Sequence, residues 1–250
     1  MDDSTSLSRL PSERPRSLAA VVTERIRTAI MNSELKLGEM LSEDKLAAAL
    51  GVSRTPVREG LTALQLQGLI VTRPQRGSFV FMPSAEDVAE LCEFRMVMES
   101  RALILCHARA KEATLAAFDR ANEAMRNAQG SGQHLASARA DADFHDALFV
   151  GCGNQYLSQA YSLISGKIGA LRANLMQPDV DIRSGSIAEH AEIIDAFRTN
   201  DLLRAEAALA GHVFSMRERF AIAQETRQPT SDKRFRVGYK WPGTVESRKY

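Results

Sequence analysis

The chain has 250 residues and a net charge of +1, a length that allows two domains with separate cores. It contains no run of eighteen apolar residues, and its first thirty residues lack the apolar segment and cleavage site of a secretory signal. The three cysteines, Cys92, Cys106 and Cys152, are odd in number and widely spaced. They predict neither a disulfide framework nor a Cys-x-x-Cys site, and a reducing cytoplasm is the expected location.

Charge and composition divide the chain into four parts. Residues 15–82 contain 9 Lys and Arg against 6 Asp and Glu, whereas residues 85–223 contain 14 against 19. The ends, 1–14 and 225–250, have no periodic apolar face and are predicted to be disordered tails. The C-terminal tail is basic, which would add weak attraction to DNA, although a solvated tail without a role is the favoured interpretation. A basic module ahead of an acidic one is suited to contact with a phosphate backbone.

Residues 15–82 begin with two predicted helices. Apolar residues recur at every fourth position of the first, at Leu18, Val22, Ile26 and Ile30. This period predicts a helix that ends near Ser33. Ser42 can cap the second helix, whose first turn carries two acidic residues. Gly51 ends it, because glycine readily adopts the left-handed conformation that follows a helix.

A third helix and a hairpin complete this module. Ser53 is predicted to cap the helix, and Pro56 falls in its first turn, where proline is tolerated. Its inward face carries Val57, Leu61 and Leu64, and its exposed flank carries Arg54 and Arg58. Two β-rich runs, 69–72 and 78–81, then flank a turn at 74–77. This order predicts a winged helix-turn-helix, in which the third helix enters the DNA major groove.

The segment LSEDKLAAALGVSRTPVREGLTALQLQGLIV resembles the DNA-binding domain of the GntR family of bacterial transcription regulators. The resemblance covers residues 15–82. It implies DNA contacts from Lys45, Ser53, Arg54, Thr55 and Arg58 in the helices and from Arg76 and Gly77 at the wing tip. Gly60 departs from the family, where alanine is usual, and should cost the helix about 1 kcal/mol.

Residues 84–224 show helical periods and almost no strand signal. Residues 84–87 resemble a capping box, so a helix starts directly after the winged module and the linker is short. Breaks in the periodicity predict six helices, at 84–110, 112–129, 133–150, 154–176, 185–199 and 201–224. Asn154 can cap the fourth, and Pro178 would end it. Short loops favour an antiparallel six-helix bundle, so the predicted fold is mainly α.

Four potential metal ligands would converge inside this bundle if its third helix packs against the hairpin of the fifth and sixth helices. Asp141 and His145 are four residues apart, on one face of the third bundle helix. His190 and His212 lie eleven residues before and eleven after Asp201, so an antiparallel hairpin places them at the same height. One carboxylate and three imidazoles suit Zn²⁺, Ni²⁺ or Mn²⁺. Single histidines on apolar faces are more often ordinary core residues, and His107 and His134 are interpreted in that way or as solvent-facing.

The pattern Asp141-x-x-Phe144-His145, with the later His190 and His212, is similar to the FCD effector domain of FadR-type GntR regulators. The resemblance implies that those four ligands hold a metal ion that helps to bind a small carboxylate effector. It also places Arg95 where the family has an arginine that would pair with the effector. An Arg95–Glu99 pair on the surface is an equally favoured alternative.

The leading hypothesis is a homodimeric transcription regulator, predicted to be a repressor rather than an enzyme. It would bind a palindromic operator with an affinity that a small organic acid modulates. One alternative is a metalloenzyme fused to a DNA-binding module, with Glu189 or Asp143 as general base. Another is a regulator in which the metal only stabilises the helical domain.

Overall fold

A computed structural model describes residues 17–175 and 183–226. Eight helices lie in these ranges: α1 Leu18–Met31, α2 Glu43–Leu50, α3 Arg54–Leu66, α4 Ala85–Gly130, α5 His134–Gly151, α6 Gln155–Leu175, α7 Arg183–Arg198 and α8 Leu202–Thr226. The strands are β1 Met40–Leu41, β2 Ile70–Arg73 and β3 Gly77–Val80. Pro178, the predicted tail 1–14 and residues 227–250 lie outside the described residues.

The first part of the chain is the predicted winged helix-turn-helix. The Ser42 hydroxyl accepts a hydrogen bond from the Lys45 amide, and Gly51 ends α2 in the left-handed conformation at φ 66°. After α3, strands β2 and β3 form an antiparallel hairpin in which Ile70 lies opposite Val80. The third strand, β1, was not predicted and pairs with the outer edge of β3. These elements place α3 and the wing on the same small domain.

Helices α1 and α3 are present as predicted, and three residues in or next to them differ in detail from the simple pattern. Leu18 is 54% exposed and does not join the buried stripe of α1. Ser53 occupies the N-cap of α3, but its side chain makes no capping hydrogen bond. Gly60 faces α1, where an added β-carbon would lie 3.2 Å from Thr23 Oγ1 and 3.3 Å from Thr23 N. The glycine therefore allows a close approach of α3 to α1 that offsets part of its low helix propensity.

The helical domain contains α4 to α8 and differs from the predicted bundle in one respect. The first two predicted helices form the two halves of α4, which starts with the expected capping box at Ser84. The break predicted near Ala110 is present as a kink, where the backbone is non-helical (φ −148°, ψ 36°). No loop separates the two halves. On one side of the kink, Arg109 Nη1 donates to Cys152 O at 2.8 Å, and on the other, Lys111 Nζ donates to Arg198 O at 3.0 Å. Tertiary contacts thus hold a bend that contains neither glycine nor proline.

Helix α6 joins the two domains. A β-carbon on Gly166 would lie 3.0 Å from Leu69 Cδ1, and one on Gly169 would lie 2.9 Å from the Met31 side chain. Asn174 Nδ2 also donates to Ser33 Oγ at 3.3 Å. Buried apolar residues of both domains form one continuous core across this contact. Across the described ranges, every helix is too short or too polar to cross a bilayer.

Candidate metal centre and DNA-reading helix

The four predicted ligands converge in the interior of the helical domain. Asp141 and His145 on α5, His190 on α7 and His212 on α8 are all buried, and their ligand atoms lie within 4.8 Å of one another. His212 Nε2 is 3.0 Å from His145 Nε2 and 3.2 Å from His190 Nε2. The predicted height match between α7 and α8 is therefore confirmed. We call these four residues the cage.

Two carboxylates outside the cage orient two of its three histidines. Glu99 Oε2 lies 2.6 Å from His145 Nδ1, and Glu189 Oε2 lies 2.7 Å from His212 Nδ1. A carboxylate accepts a hydrogen bond, so each Nδ1 carries the proton and each Nε2 presents a lone pair to the cage. Two acceptor nitrogens then face each other at 3.0 Å. The two lone pairs repel each other at this distance, whereas a cation between them would be bound by both. This set of ligand atoms therefore fits a divalent metal ion.

Burial and neighbouring charges favour the neutral imidazole at two cage positions, His145 and His190. Burial lowers the pKa of His145 well below its ordinary value, and Arg172 and Arg95 lower it further. Burial likewise lowers the pKa of His190, with His212 adding to the effect. Neutral imidazole is the form that binds metals.

Stability should consequently fall in mild acid. Unfolded histidines take up protons below about pH 6.5, whereas folded His145 and His190 resist protonation, so their stabilising contribution is present above that pH and lost as the pH falls. Each of these two histidines is expected to lower the free energy of unfolding by up to about 1.4 kcal/mol for every pH unit below about 6.5. Urea unfolding in chelator at about pH 7.5 and about pH 5.5, followed by circular dichroism, measures this change. Equal or greater stability at the lower pH would contradict it.

Two buried guanidinium groups border the cage. Arg172 on α6 forms an ion pair with Asp141, while its Nη2 has no hydrogen-bond partner among the described residues. Burial alone would raise the pKa of Asp141, but the adjacent Arg172 guanidinium holds it well below its ordinary value. Arg172 was not predicted from the sequence, because no motif or spacing connects it to Asp141.

Arg95 combines features of both alternatives that its sequence context suggested. Its Nε donates to Glu99 Oε1 at 2.8 Å, so the i,i+4 pair exists. The pair is not on the surface, however, because Arg95 is only 1% exposed. Its Nη2 lies 3.4 Å from both ring nitrogens of His145. The guanidinium therefore lies beside the cage, where a ligand carboxylate bound there would be within reach.

The other titratable residues considered from the sequence have different positions. Glu189 accepts hydrogen bonds at 3.0 Å from Arg219 in addition to its contact with His212. It therefore orients His212, one of the four predicted metal ligands. Asp143 is exposed. His107 lies outside the cage, with Nε2 3.0 Å from Asn200 Oδ1 and its ring against Phe197, and His134 also lies outside it.

All seven residues predicted to contact DNA are exposed: Lys45, Ser53, Arg54, Thr55, Arg58, Arg76 and Gly77. Arg54 and Arg58 project from the first turns of α3, as expected. Both are bound to Glu43, the first residue of α2. The sequence showed Glu43 only as an acid in the first turn of a helix, and its contact with the two arginines depends on how α2 packs against α3.

A winged helix-turn-helix joined to an all-helical domain with a buried Asp and His cage defines a class, the two-domain transcription regulators with a sensory domain. Comparison with known families specifies the class further. Residues 18–80 match the family described as bacterial regulatory proteins, gntR family, and residues 90–215 match the FCD domain. The chain belongs to the GntR family, has the FadR-like FCD architecture, and is a DNA-binding transcription regulator, not an enzyme.

Several individual proteins are similar to this chain over most of their own length. A probable D-xylose utilization operon transcriptional repressor from Paenarthrobacter nicotinovorans is 30% identical over 202 residues, covering 79% of this chain and 86% of the relative. The transcriptional repressor NanR of Salmonella typhimurium is 28% identical, covering 86% and 90%. A GntR regulator structure from Rhodococcus sp. RHA1 (23% identity) covers 82% of this chain and 98% of its own, with a TM-score of 0.71. Escherichia coli McbR/YncC (22% identity) covers 84% and 98% with the same TM-score.

Proposed function

We propose that this protein is a homodimeric repressor that binds a palindromic operator. Its affinity for the operator changes when a small organic acid binds at a divalent metal ion in the cage. The observation that carries this proposal is the cage itself. The Nε2 atoms of His145 and His212 face each other as hydrogen-bond acceptors, His190 Nε2 lies 3.2 Å from His212 Nε2, and two guanidinium groups border the site. Such an arrangement is stable when a cation lies inside and an anion lies alongside.

The ion would be held by Asp141, His145, His190 and His212. Mixed nitrogen and oxygen ligands suit Zn²⁺, Ni²⁺ or Mn²⁺, and ions that accept five or six ligands would offer further positions to a carboxylate. Glu99 and Glu189 would fix the tautomers of His145 and His212. The chain's own contribution is thus a preorganised set of ligands in a buried site.

A small carboxylate is the effector class that the surrounding charges favour. Among the described residues no carboxylate accepts a hydrogen bond from either Nη atom of Arg95, and Glu99 accepts from its Nε. Arg172 Nη2 is buried without a partner in the same ranges. Guanidinium groups bind carboxylates through two parallel hydrogen bonds, so either could hold one end of a small acid.

Helix α6 provides a physical route from the cage to the DNA-binding domain. It carries Arg172, which pairs with the cage residue Asp141, and it also carries Gly166 and Gly169, which lie against Leu69 and Met31 of the winged domain. An effector alters DNA affinity only through differential binding to two arrangements of the protein. A shift of α6 when Arg172 changes partner would supply those two arrangements.

Repression and dimerisation rest on separate support. Two of the relatives above are named as transcriptional repressors. On α4, Phe94 and Val97 are one turn apart and remain 41% and 71% exposed, which favours contact with another apolar surface. A two-fold dimer carries two recognition helices and therefore pairs with a palindromic site.

The burial of all four ligands also favours a second candidate, in which the ion only stabilises the helical domain. A thermal-shift screen separates the two. We expect protein stripped with chelator and reloaded with Zn²⁺, Ni²⁺ or Mn²⁺ to be stabilised by some members of a panel of two- to six-carbon acids, by about 2.7 kcal/mol at one hundred times the dissociation constant. The matching amides are the controls, since they lack the charge. Metal-dependent melting without any response to an acid would support the structural role and contradict sensing.

A further inference from the structure

The two arginines at the start of α3 share one carboxylate. Glu43 Oε1 accepts from Arg58 Nε at 3.2 Å, and Glu43 Oε2 accepts from Arg58 Nη2 at 2.9 Å. The second oxygen also accepts from Arg54 Nη2 at 3.3 Å. Arg58 is therefore held by a bidentate contact, the most directional form of an arginine–carboxylate pair.

This arrangement differs from an ordinary surface ion pair in what it joins. Glu43 starts α2, whereas Arg54 and Arg58 lie in α3, so the contact crosses the turn of the helix-turn-helix. The neighbouring Asp44 forms an ion pair with Arg54, through Nε at 3.1 Å, and with no other arginine in the described part of the chain. The hydrogen bonds from Arg58 hold the pKa of Glu43 below its ordinary value, so the carboxylate is ionised at neutral pH. Two long cationic side chains thus bind the same carboxylate.

We infer that Glu43 is a positioning residue for sequence discrimination, which directs Arg58 and Arg54 toward base edges and keeps them from binding phosphates indiscriminately. The inference rests on the proposed DNA-reading roles of these two arginines. Specific contacts need a guanidinium at a set angle to guanine, whereas phosphate contacts need only positive charge. The Glu43 carboxylate binds one edge of the Arg58 guanidinium. It therefore fixes the orientation of that group and neutralises part of its positive charge.

The inference separates two quantities that are usually measured together. Without Glu43, the arginines gain rotational freedom, so the affinity for the correct sequence should fall. They also lose a neutralising partner, so the affinity for unrelated DNA should rise. Both changes lower the ratio of specific to non-specific binding. We expect Glu43→Gln to lower that ratio about tenfold or more.

The experiment uses the full chain and a duplex that the unaltered protein enriches from a random-sequence pool. Fluorescence anisotropy gives its dissociation constant and that of a scrambled duplex, for the unaltered protein and each variant. Glu59→Gln is the matched control. Glu59 is an exposed glutamate in α3, the helix that carries both arginines, but it forms no ion pair with either of them. Glu43→Asp keeps the charge but shortens the side chain. Circular dichroism checks that each variant is folded.

We expect Glu43→Gln and Glu43→Asp to lose discrimination and Glu59→Gln to keep it. Equal changes in both affinities for Glu43→Gln, an equal loss for Glu59→Gln, or full discrimination by Glu43→Asp would overturn the inference. Arg58→Ala distinguishes it from the proposed role beneath it. If Arg58→Ala loses discrimination and Glu43→Gln does not, only the role of Glu43 fails. If Arg58→Ala also keeps discrimination, the DNA-reading role of Arg58 fails and the inference with it.

Discussion

His190→Ala and His212→Ala are each expected to weaken divalent-metal binding by more than about 100-fold and to abolish the response to organic acids. Each change removes one of four ligands whose binding atoms lie within 4.8 Å of one another. Isothermal titration with Zn²⁺ and elemental analysis after dialysis measure the first effect. The change in affinity for the selected duplex on addition of an acid measures the second.

Controls for these variants test the cage as an arrangement and not only as a set of histidines. His134→Gln removes a histidine outside the cage and should leave both readouts unchanged. Glu189→Gln weakens the support of His212 and should cost about 10- to 100-fold in metal affinity. Unaltered metal affinity in His190→Ala would contradict the cage. Loss of folding in both alanine variants would instead favour an ion that is purely structural.

Asp141→Ala is expected to lower the free energy of unfolding in chelator by about 3 to 5 kcal/mol. The change removes the partner of Arg172, which is buried and already has an unsatisfied Nη2 within the described residues. A guanidinium without its carboxylate retains the cost of leaving water and loses the attraction that offsets it. Urea unfolding followed by circular dichroism at about neutral pH measures the difference.

A double variant identifies the cause of that loss. Asp141→Leu together with Arg172→Met replaces both charges with apolar groups and should recover most of the stability, because no buried charge is left unpaired. The exposed pair of Arg198 Nη2 and Asp119 Oδ1, at 2.8 Å, provides a surface control. Asp119→Ala should cost less than about 1 kcal/mol. An Asp141→Ala protein as stable as the unaltered one would contradict an energetic role for the pair.

Local signals in the sequence were sufficient for most of the fold. Caps and breakers such as Ser42, Gly51 and Ser84 identified helix ends, because they act within one turn of the chain. The two-residue strand β1 is too short to show a period, so it could not be predicted. The break expected near Ala110 became a kink, because contacts of Arg109 and Lys111 with distant segments hold the two halves of α4 together.

The sequence by itself determined the winged module, the helical domain and two local pairings, Asp141 with His145 and His190 with His212, since helical spacing and equal distance from a turn are local geometry. The convergence of the two pairs depends on how α5 lies relative to the hairpin of α7 and α8, which is a matter of tertiary packing. Only the tertiary structure decided which groups surround them. Glu99 reaches His145 across 46 positions, and Glu43 reaches Arg58 across 15 positions, a turn and a second helix. No sequence period reports such contacts, because they depend on how separate helices pack. Packing therefore determines the tautomers of the histidines and the directions of the arginines.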